Sequence, residues 1–493
     1  MKTTLRACAT LAVACAAMAF SASAFALHQP DHKSDDARKM RLLGESPNGT
    51  GAINSDIAFW GNKAFVGNYD GFRIFDISGP TPVQITDFRC FGPQNDLTVY
   101  DRNGDGEADL LIASVDRTLS GPNCGALPVE NDDPTGWEGL RIFDITNLQA
   151  PVMIASVYQD CGSHTHTLLP QPERGRLLIL NSSYPLRPGP TCGPVRGPAA
   201  GRDPLHGVIQ VVEVPLGNPE AAYELAELPI NYPGDPDNLF DPAEHGAPGF
   251  NTLRACHDIA VFKPLGLVAG ACIEQAQMWR INPVTGLPDT ANPVWVYQDK
   301  VDTDGPGGKD VAVDFWHSAT FSWDGKTVIF IDESFGTGCP TQTVLNGVLS
   351  DTGRMFFLDA ASGEKLSHYF IQRAAPATDP VHYCSSHLGN TVPAYSRDLL
   401  VNAWYTGGVD VIDFTNPRKP REIAFWDDIG DNWSGYWYEF GKGFTTGPMR
   451  AYGTHGVELP ALGRGFQTFE IDVGIRRKLV RGLNPQTQEF IMK

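Results

Sequence analysis

The chain has 493 residues, of which 19% are charged, and its formal net charge is −19. An acidic chain without a basic run is a poor ligand for nucleic acids and for anionic membrane surfaces, so the composition argues against both as partners. Glycine (51) and proline (38) are frequent and spread along the chain, as a protein with many short turns requires.

The N-terminus has the three parts of a signal peptide. Lys2 and Arg6 give a positive start, residues 8–20 are apolar, and Ala24-Phe25-Ala26 is a small-residue cleavage site. We therefore interpret residues 1–26 as a signal peptide and expect a periplasmic or secreted protein. No later stretch is long and apolar enough to span a bilayer, so we expect no membrane span.

A short phrase recurs along the mature chain. It begins at Gly71 (GFRIFDIS), Gly139 (GLRIFDITN) and Gly408 (GVDVIDFTN), and each copy is an apolar strand that ends in Asp and a turn. Looser copies begin at Gly207, Ala276, Gly353 and Gly465. Seven copies at roughly even spacing indicate a repeat architecture, with one supersecondary unit per copy.

Each unit divides into four short strands, a to d, with the phrase as strand c and the turn into strand d. In the first unit these strands are 56–60, 64–67, 72–77 and 83–88. In the later units strand a begins, in order, at Asp96, His166, His257, His317, His387 and Tyr436.

The seventh unit has no strand d of its own. Residues 39–45 precede the first strand a as each strand d precedes the next unit, so they are the candidate. We predict an all-β, seven-bladed β-propeller over residues 39–472, whose last blade is closed by this N-terminal strand. Residues 27–38 would be a linker and 473–493 a tail. A count of six blades requires merging the weak fourth or seventh unit with a neighbour.

The repeated phrase resembles that of the LVIVD-repeat family, a group of exported β-propellers. The match is strongest at 71–88, 139–157 and 408–426, and the segments 316–319, 332–333 and 483–488 are also similar to that family. The resemblance implies an exported propeller. It says little about activity, because one fold hosts many functions.

Strand direction predicts which face carries function. The starts of strands a, the ends of strands b and the b–c and d–a connections share one face of a propeller. The long connections are all of these two types: 116–138, 184–206, 229–255, 299–315 and 334–352. Long loops on a rigid scaffold favour a binding face, for a small-molecule substrate or a protein partner, over neutral surface decoration.

Eight cysteines remain after the signal peptide, an even number that indicates disulfides in an exported protein. Several cysteines stand at starts of strands a or ends of strands b, which are neighbours in an antiparallel pair. The repeat therefore predicts four bridges on the long-loop face: Cys90–Cys124, Cys161–Cys192, Cys256–Cys272 and Cys339–Cys384.

Four of the twelve histidines occupy one repeat position, the start of strand a: His166, His257, His317 and His387. Imidazoles from consecutive blades would meet at the channel mouth, where they suit a transition metal such as Fe, Cu or Zn. Alternatively, these histidines are structural residues copied with the repeat, although three units lack them. His28, His32, His206, His245 and His368 have no repeat position and are interpreted as structural or surface residues.

Further candidate ligands lie near the predicted channel mouth. His164 is two residues before His166 and so on the same side of the strand. His455 lies in the b–c region of the seventh unit. Glu333, at the end of a strand b, is an added ligand or the catalytic acid or base. Asp258 and His382 are weaker candidates, and the aromatic run 433–440 is interpreted as packing.

A second metal site is predicted in the a–b turn of the second unit. Its sequence, DRNGDGEAD, offers oxygen ligands from Asp101, Asn103, Asp105, Glu107 and Asp109, and Gly106 permits the sharp turn. This spacing suits a structural Ca²⁺, although an ordinary acidic turn is the alternative.

Two functions follow from these patterns. The first is a metal-dependent oxidoreductase, an oxidase or oxygenase with histidine ligands in the mouth of the propeller. Carotenoid oxygenases also place four histidines inside a seven-bladed propeller, which is an architectural analogy only. The second is a non-catalytic binding or cell-surface interaction propeller. Phosphate-loop, nucleophile-elbow, H-E-x-x-H and C-x-x-C motifs are absent from the sequence.

Overall fold

The structure is a computed structural model that describes residues 36–47, 49, 51–130, 133, 135–183, 206–233, 254–298, 313, 315–333, 344–345, 348–349, 353–371, 385–427, 431–456 and 465–485. The predicted signal peptide lies outside the described residues, as do most of the connections 184–206, 229–255, 299–315 and 334–352. Outside them too are His28, His32, His245, His382, Cys192, Cys339 and Cys384.

The chain is all-β, as predicted: the described residues form strands and short 3₁₀ turns, without an α-helix. The first unit contains β3 (Asn54–Trp60), β4 (Lys63–Asn68), β5 (Gly71–Asp76) and β6 (Val83–Arg89). The second contains β7 (Gln94–Tyr100), β8 (Leu110–Ser120), β9 (Trp137–Asp144) and β10 (Val152–Tyr158). The third contains β11 (Thr165–Gln171), β12 (Arg176–Ser182), β13 (Val208–Pro215) and β14 (Tyr223–Pro229). The fourth contains β15 (Ile259–Phe262), β16 (Leu267–Cys272), β17 (Gln275–Arg280) and β18 (Trp295–Tyr297).

The remaining units follow the same order. The fifth contains β19 (Trp316–Phe321), β20 (Thr327–Asp332), β23 (Met355–Asp359) and β24 (Lys365–Tyr369), with a small hairpin of β21 (Val344–Leu345) and β22 (Val348–Leu349). The sixth contains β25 (Ser386–Val392), β26 (Leu399–Trp404), β27 (Gly408–Asp413) and β28 (Arg421–Asp427). The seventh contains β29 (Asn432–Trp437), β31 (Met449–His455), β32 (Phe466–Ile471) and β2 (Met40–Ser46). The described residues also form 3₁₀ turns at Pro172–Arg174, Pro219–Ala221, Lys263–Leu265 and Tyr405–Gly407.

The strands of each unit pair antiparallel with their neighbours in the order a, b, c, d. The sixth and seventh units are joined in one nine-stranded sheet through a short parallel pairing of β25 with β29. The N-terminal strand β2 pairs with β32, from Met40 opposite Ile471 to Ser46 opposite Phe466. This pairing confirms the prediction that the N-terminal segment supplies the missing fourth strand of the seventh unit.

The repeated phrase has a physical explanation. Gly71, Gly139 and Gly408 have positive φ angles, and a Cβ on any of them would lie 2.0 to 2.3 Å from a carbonyl oxygen of strand d. Only glycine fits such a close backbone approach. The aspartate that ends the phrase accepts a hydrogen bond from the backbone N–H two residues later, as Asp144 does from Thr146 (2.8 Å). The phrase therefore encodes the entry of strand c and the turn that follows it.

The hydrophobic core lies between neighbouring units. Five clusters of buried residues each join two consecutive units, from the first and second to the fifth and sixth. The largest cluster joins residues of the sixth, seventh and first units. Phe59 stacks on Tyr438 with ring centroids 4.6 Å apart, and the Tyr436 hydroxyl donates to Asp56 (2.6 Å). The last unit therefore packs against the first, and apolar surface buried between units contributes to the stability of the fold.

Both ends of the described chain add to these sheets. Residues Asp36–Arg38, assigned to the linker from sequence, form β1 and pair with β28. In the predicted tail, Arg477–Lys478 (β33) pairs with Phe444–Thr445 (β30), and Gly482–Leu483 (β34) pairs with β3. The described part of the tail therefore belongs to the folded unit. Nowhere in the described chain is there a helix long and apolar enough to cross a membrane.

Candidate metal centre

Three of the four repeat-position histidines meet where strands a of the fourth, fifth and sixth units begin. The ring centroids of His257 and His317 are 3.7 Å apart, and those of His317 and His387 are 4.5 Å apart. All three side chains are buried, with 1 to 2% of their surface exposed. The repeat register thus predicts the contact of these three rings correctly.

Carboxylates complete two overlapping groups of metal-ligand type. His257, Asp258 and His317 form one group, and His317, Glu333 and His387 form the other. Within each group the candidate ligand atoms all lie within 4.8 Å of one another. His317 belongs to both groups, and its buried Nδ1 has no hydrogen-bond partner. A buried imidazole nitrogen without a partner is costly, and a metal ion would relieve that cost.

Hydrogen bonds orient the flanking imidazoles. The Nδ1 atom of His387 lies 2.6 Å from the carbonyl oxygen of Trp433. Because a carbonyl oxygen only accepts, Nδ1 carries the proton and Nε2 carries the lone pair of the neutral ring. His257 Nδ1 lies 2.9 Å from Asp258 Oδ1, the arrangement in which an outer carboxylate fixes the tautomer of a metal-binding histidine.

Burial keeps these imidazoles neutral. Desolvation lowers the pKa of His387 to about 3. It also lowers the pKa values of His257 and His317 well below the usual value, with the neighbouring histidines adding to the shift. A neutral imidazole is the form that binds a metal, so the cluster is ready to coordinate at neutral pH.

An acid–base pair borders the cluster. Glu333 Oε2 lies 3.8 Å from His317 Nε2, and the hydroxyl of Tyr405 donates to Glu333 Oε1 at 2.5 Å. Burial raises the pKa of Glu333 to about 7, despite the Tyr405 hydrogen bond, and Asp431 adds to the rise. Burial raises the pKa of Asp431 to about 7 as well. A carboxyl group that titrates near pH 7 is suited to general acid–base chemistry.

The third unit contributes a different histidine from the one at the repeat position. His166 is fully buried and hydrogen-bonded to side chains of the second unit: Nε2 lies 2.6 Å from Thr98 Oγ1 and Nδ1 lies 2.8 Å from Ser114 Oγ. With both nitrogens engaged, His166 belongs to neither candidate group. His164 instead lies against His257, with ring centroids 4.6 Å apart.

His164 is held as the other flanking histidines are. Its Nδ1 lies 3.1 Å from Asp116 Oδ2. Burial alone would raise the pKa of Asp116, but Arg117 and His164 outweigh burial and the pKa lies below its usual value. Ionised Asp116 therefore accepts a hydrogen bond from the Nδ1–H of His164. His164 extends the row of neighbouring histidine rings to four.

One further predicted ligand, His455, lies outside the cluster. His455 is buried and its pKa is lowered to about 4 by burial, but it belongs to neither candidate group. Sequence reasoning missed Asp116, Tyr405 and the Trp433 carbonyl. Asp116 and Tyr405 stand in or just after a strand b, as Glu333 does, so the rule that selected Glu333 could have found both.

Two predicted disulfides are confirmed. Cys90 is bonded to Cys124 and Cys256 to Cys272. Cys161 is also disulfide-bonded, and its predicted partner lies outside the described residues. The predicted pair 339–384 lies wholly outside them. The 256–272 bridge closes the segment that carries His257 and so fixes the backbone next to a candidate ligand.

The predicted calcium turn is internally hydrogen-bonded. Asp101 accepts the N–H groups of Gly104 (2.6 Å) and Gly106 (2.9 Å), and Asp105 accepts that of Glu107 (2.8 Å). Asn103 accepts the Asp105 N–H, and Asp109 is paired with Arg102 at 2.9 Å. These bonds account for the turn without an ion, so calcium binding stays a prediction.

Comparison with known proteins adds no family assignment: no protein-family model matches the chain, and a search of curated proteins found no match. The class that fold and site define is an all-β protein of repeated antiparallel sheets with a buried histidine and carboxylate cluster that could hold a metal.

Proposed function

We propose that the chain is an exported, seven-bladed β-propeller of the LVIVD-repeat type that binds a transition metal and acts as a metal-dependent oxidoreductase. The seven four-stranded units, the packing of the last on the first and the N-terminal strand in the seventh unit support the propeller. The disulfides and the signal-peptide pattern support export.

One observation carries the metal proposal. His257, His317 and His387 lie in ring contact, buried, with carboxylate oxygens in reach of the same atoms. Contacts between buried, uncharged imidazoles stabilise the fold little. Nitrogen and carboxylate ligands together, in contrast, suit Fe, Cu or Zn. We assign His257, His317 and His387 as ligands and His164 as a fourth candidate.

The surrounding residues determine what chemistry is supported. A bound redox metal would supply electron transfer or activation of oxygen. Glu333 and Tyr405 form a hydrogen-bonded pair beside His317, and Glu333 can take up or release a proton at Oε2 near neutral pH. The small-molecule substrate would approach from the face where strands a begin, on which the sequence predicts the long connections.

The test is metal analysis of protein purified after export in its native form. We expect about one equivalent of Fe, Cu or Zn, lost on His257→Ala, His317→Ala and His387→Ala. The control is His368→Ala, because His368 lies outside the cluster and its ring is hydrogen-bonded to Arg354. Oxygen consumption with reducing substrates then tests the oxidase or oxygenase assignment. A metal-free protein would instead favour the non-catalytic binding propeller.

Structural calcium is a separate proposal for the turn at 101–109. Oxygen atoms of Asp101, Asn103, Asp105, Glu107 and Asp109 would leave their present hydrogen bonds and coordinate the ion. Calorimetric titration of Ca²⁺ into chelator-treated protein tests it, with Asp105→Asn as the variant. Identical heats for the variant and the unmodified chain would contradict the proposal.

A further inference from the structure

An open pocket lies at the outer edge where the N-terminal strands join the last two units, and none of its lining residues belongs to the histidine cluster. It has a volume of about 530 Å³ and is lined by Arg38, Lys39, Arg397, Arg421, Glu422, Ile423 and Val473. Its size falls within the range of about 300 to 1,000 Å³ that is usual for small-molecule sites. The pocket is independent of the proposed metal function.

The pocket concentrates positive charge in an acidic protein. Four of its lining side chains are cationic and one is anionic, whereas the whole chain carries a net charge of −19. One further carboxylate, Asp413, is shared between Arg397 (2.5 Å) and Arg421 (3.1 Å). An excess of two positive charges is left, and a doubly charged oxyanion would balance it.

The individual cations have donors to spare. The Arg421 side chain is 71% exposed, so its guanidinium is accessible from solvent although it is paired with Asp413. Among the described residues, Lys39 has no ion-pair partner. Arg38 donates to the main-chain carbonyl of Glu422 at 2.6 Å, which places a cation on the wall without neutralising it.

The backbone at Lys39 is unusual. Its φ of 57° is left-handed, a conformation that costs a lysine free energy and that glycine or asparagine adopts more readily. Lys39 lies between β1, which pairs with the sixth unit, and β2, which pairs with the seventh. The crossing of the chain from one unit to the next thus places the Lys39 side chain in a pocket that three arginines also line.

From these features we infer that the pocket binds a small phosphorylated organic molecule. Arg421 and Lys39 would contact the phosphate, since guanidinium groups bind phosphate oxygens in pairs. Ile423 and Val473, both partly buried, would contact the organic part. A bound ligand would link β1 and β2 to their neighbours, and so stabilise the closure of the ring by mass action.

Glycerol 3-phosphate and inorganic phosphate, titrated calorimetrically at constant ionic strength, test the inference. We expect saturable binding of glycerol 3-phosphate, weakened at least about tenfold in Lys39→Asn and in Arg421→Gln. Asparagine tolerates the left-handed backbone, so the first variant removes charge without new strain. The control is Lys442→Gln, an exposed lysine outside the pocket, which should bind as the unmodified chain does.

Vesicles distinguish a free ligand from a lipid headgroup. Sedimentation with phosphatidylglycerol vesicles, but not phosphatidylcholine vesicles, that is lost in both pocket variants would assign the phosphate to a lipid. Binding of glycerol 3-phosphate without vesicle binding would assign it to a soluble compound. The inference is overturned if neither probe binds at up to about 10 mM, or if both pocket variants bind as tightly as the control.

Discussion

Acid should destabilise the metal-free protein through the histidine cluster, and His387→Gln should remove a defined part of that effect. His387 is buried, with 1% of its surface exposed, and its pKa falls from 6.5 to about 3 on folding. The folded state therefore binds fewer protons than the unfolded state between these values. The contribution of neutral His387 to the free energy of unfolding is fully present above pH 6.5 and is lost as the pH falls toward 3.

The size of the effect follows from the shift. Between pH 6.5 and pH 5 one such histidine costs about 1.4 kcal/mol per pH unit, or about 2 kcal/mol in all. Glutamine keeps an amide that can donate to the Trp433 carbonyl but does not titrate. His387→Gln should therefore lose about 2 kcal/mol less than the unmodified chain between pH 7.5 and pH 5.

Urea unfolding of chelator-treated protein at both pH values measures the difference. The control is His368→Gln, a histidine outside the cluster that is hydrogen-bonded to Arg354. If His387→Gln and the unmodified chain lose the same free energy of unfolding on acidification, His387 is not held neutral by burial and is not pre-formed as a metal ligand.

Three further predictions concern the scaffold and the choice of ligand. Arg477→Met should lower the free energy of unfolding by roughly 3 to 5 kcal/mol in urea, since it leaves the mostly buried Glu439 carboxylate without its cation; adding Glu439→Gln should restore part of the loss. Replacing both cysteines of the 256–272 disulfide by serine should cost about 3 kcal/mol in the same assay, because the bridge closes a short loop; an unchanged midpoint would contradict this. His164→Ala should lower the metal content and His166→Ala should not, as measured by elemental analysis; the reverse result would reassign the fourth ligand.

Much of the fold could be predicted because the repeated phrase has a strict backbone requirement. Glycine at a close approach and aspartate at a turn recur at strand c of the first, second and sixth units. These three strong copies set the register in which the looser copies of the other units could be found. The N-terminal strand followed from the same register. The pairing of residues 36–38 and of the described tail could not be predicted, because these segments lie outside the repeat and pair with distant strands.

The site shows where sequence reasoning ends. The repeat register correctly predicted that His257, His317 and His387 lie together, because each stands at the start of a strand a. It could not choose between His164 and His166, which are two residues apart and share a side of the chain. The choice depends on Thr98 and Ser114, side chains of the neighbouring unit that engage His166. Such contacts between units leave no periodic signal in the sequence.

X-ray absorption spectroscopy at the edge of the bound metal shows whether histidines of the cluster coordinate it. Imidazole nitrogens give distances of about 2.0 to 2.1 Å to zinc, with outer-shell scattering from the ring. We expect a shell with at least three imidazoles that is lost in the combined His257→Ala, His317→Ala and His387→Ala variant, while His368→Ala keeps it. A metal coordinated only by sulfur or only by oxygen would contradict the assignment of these histidines as ligands. The same spectrum in the combined variant would also contradict that assignment.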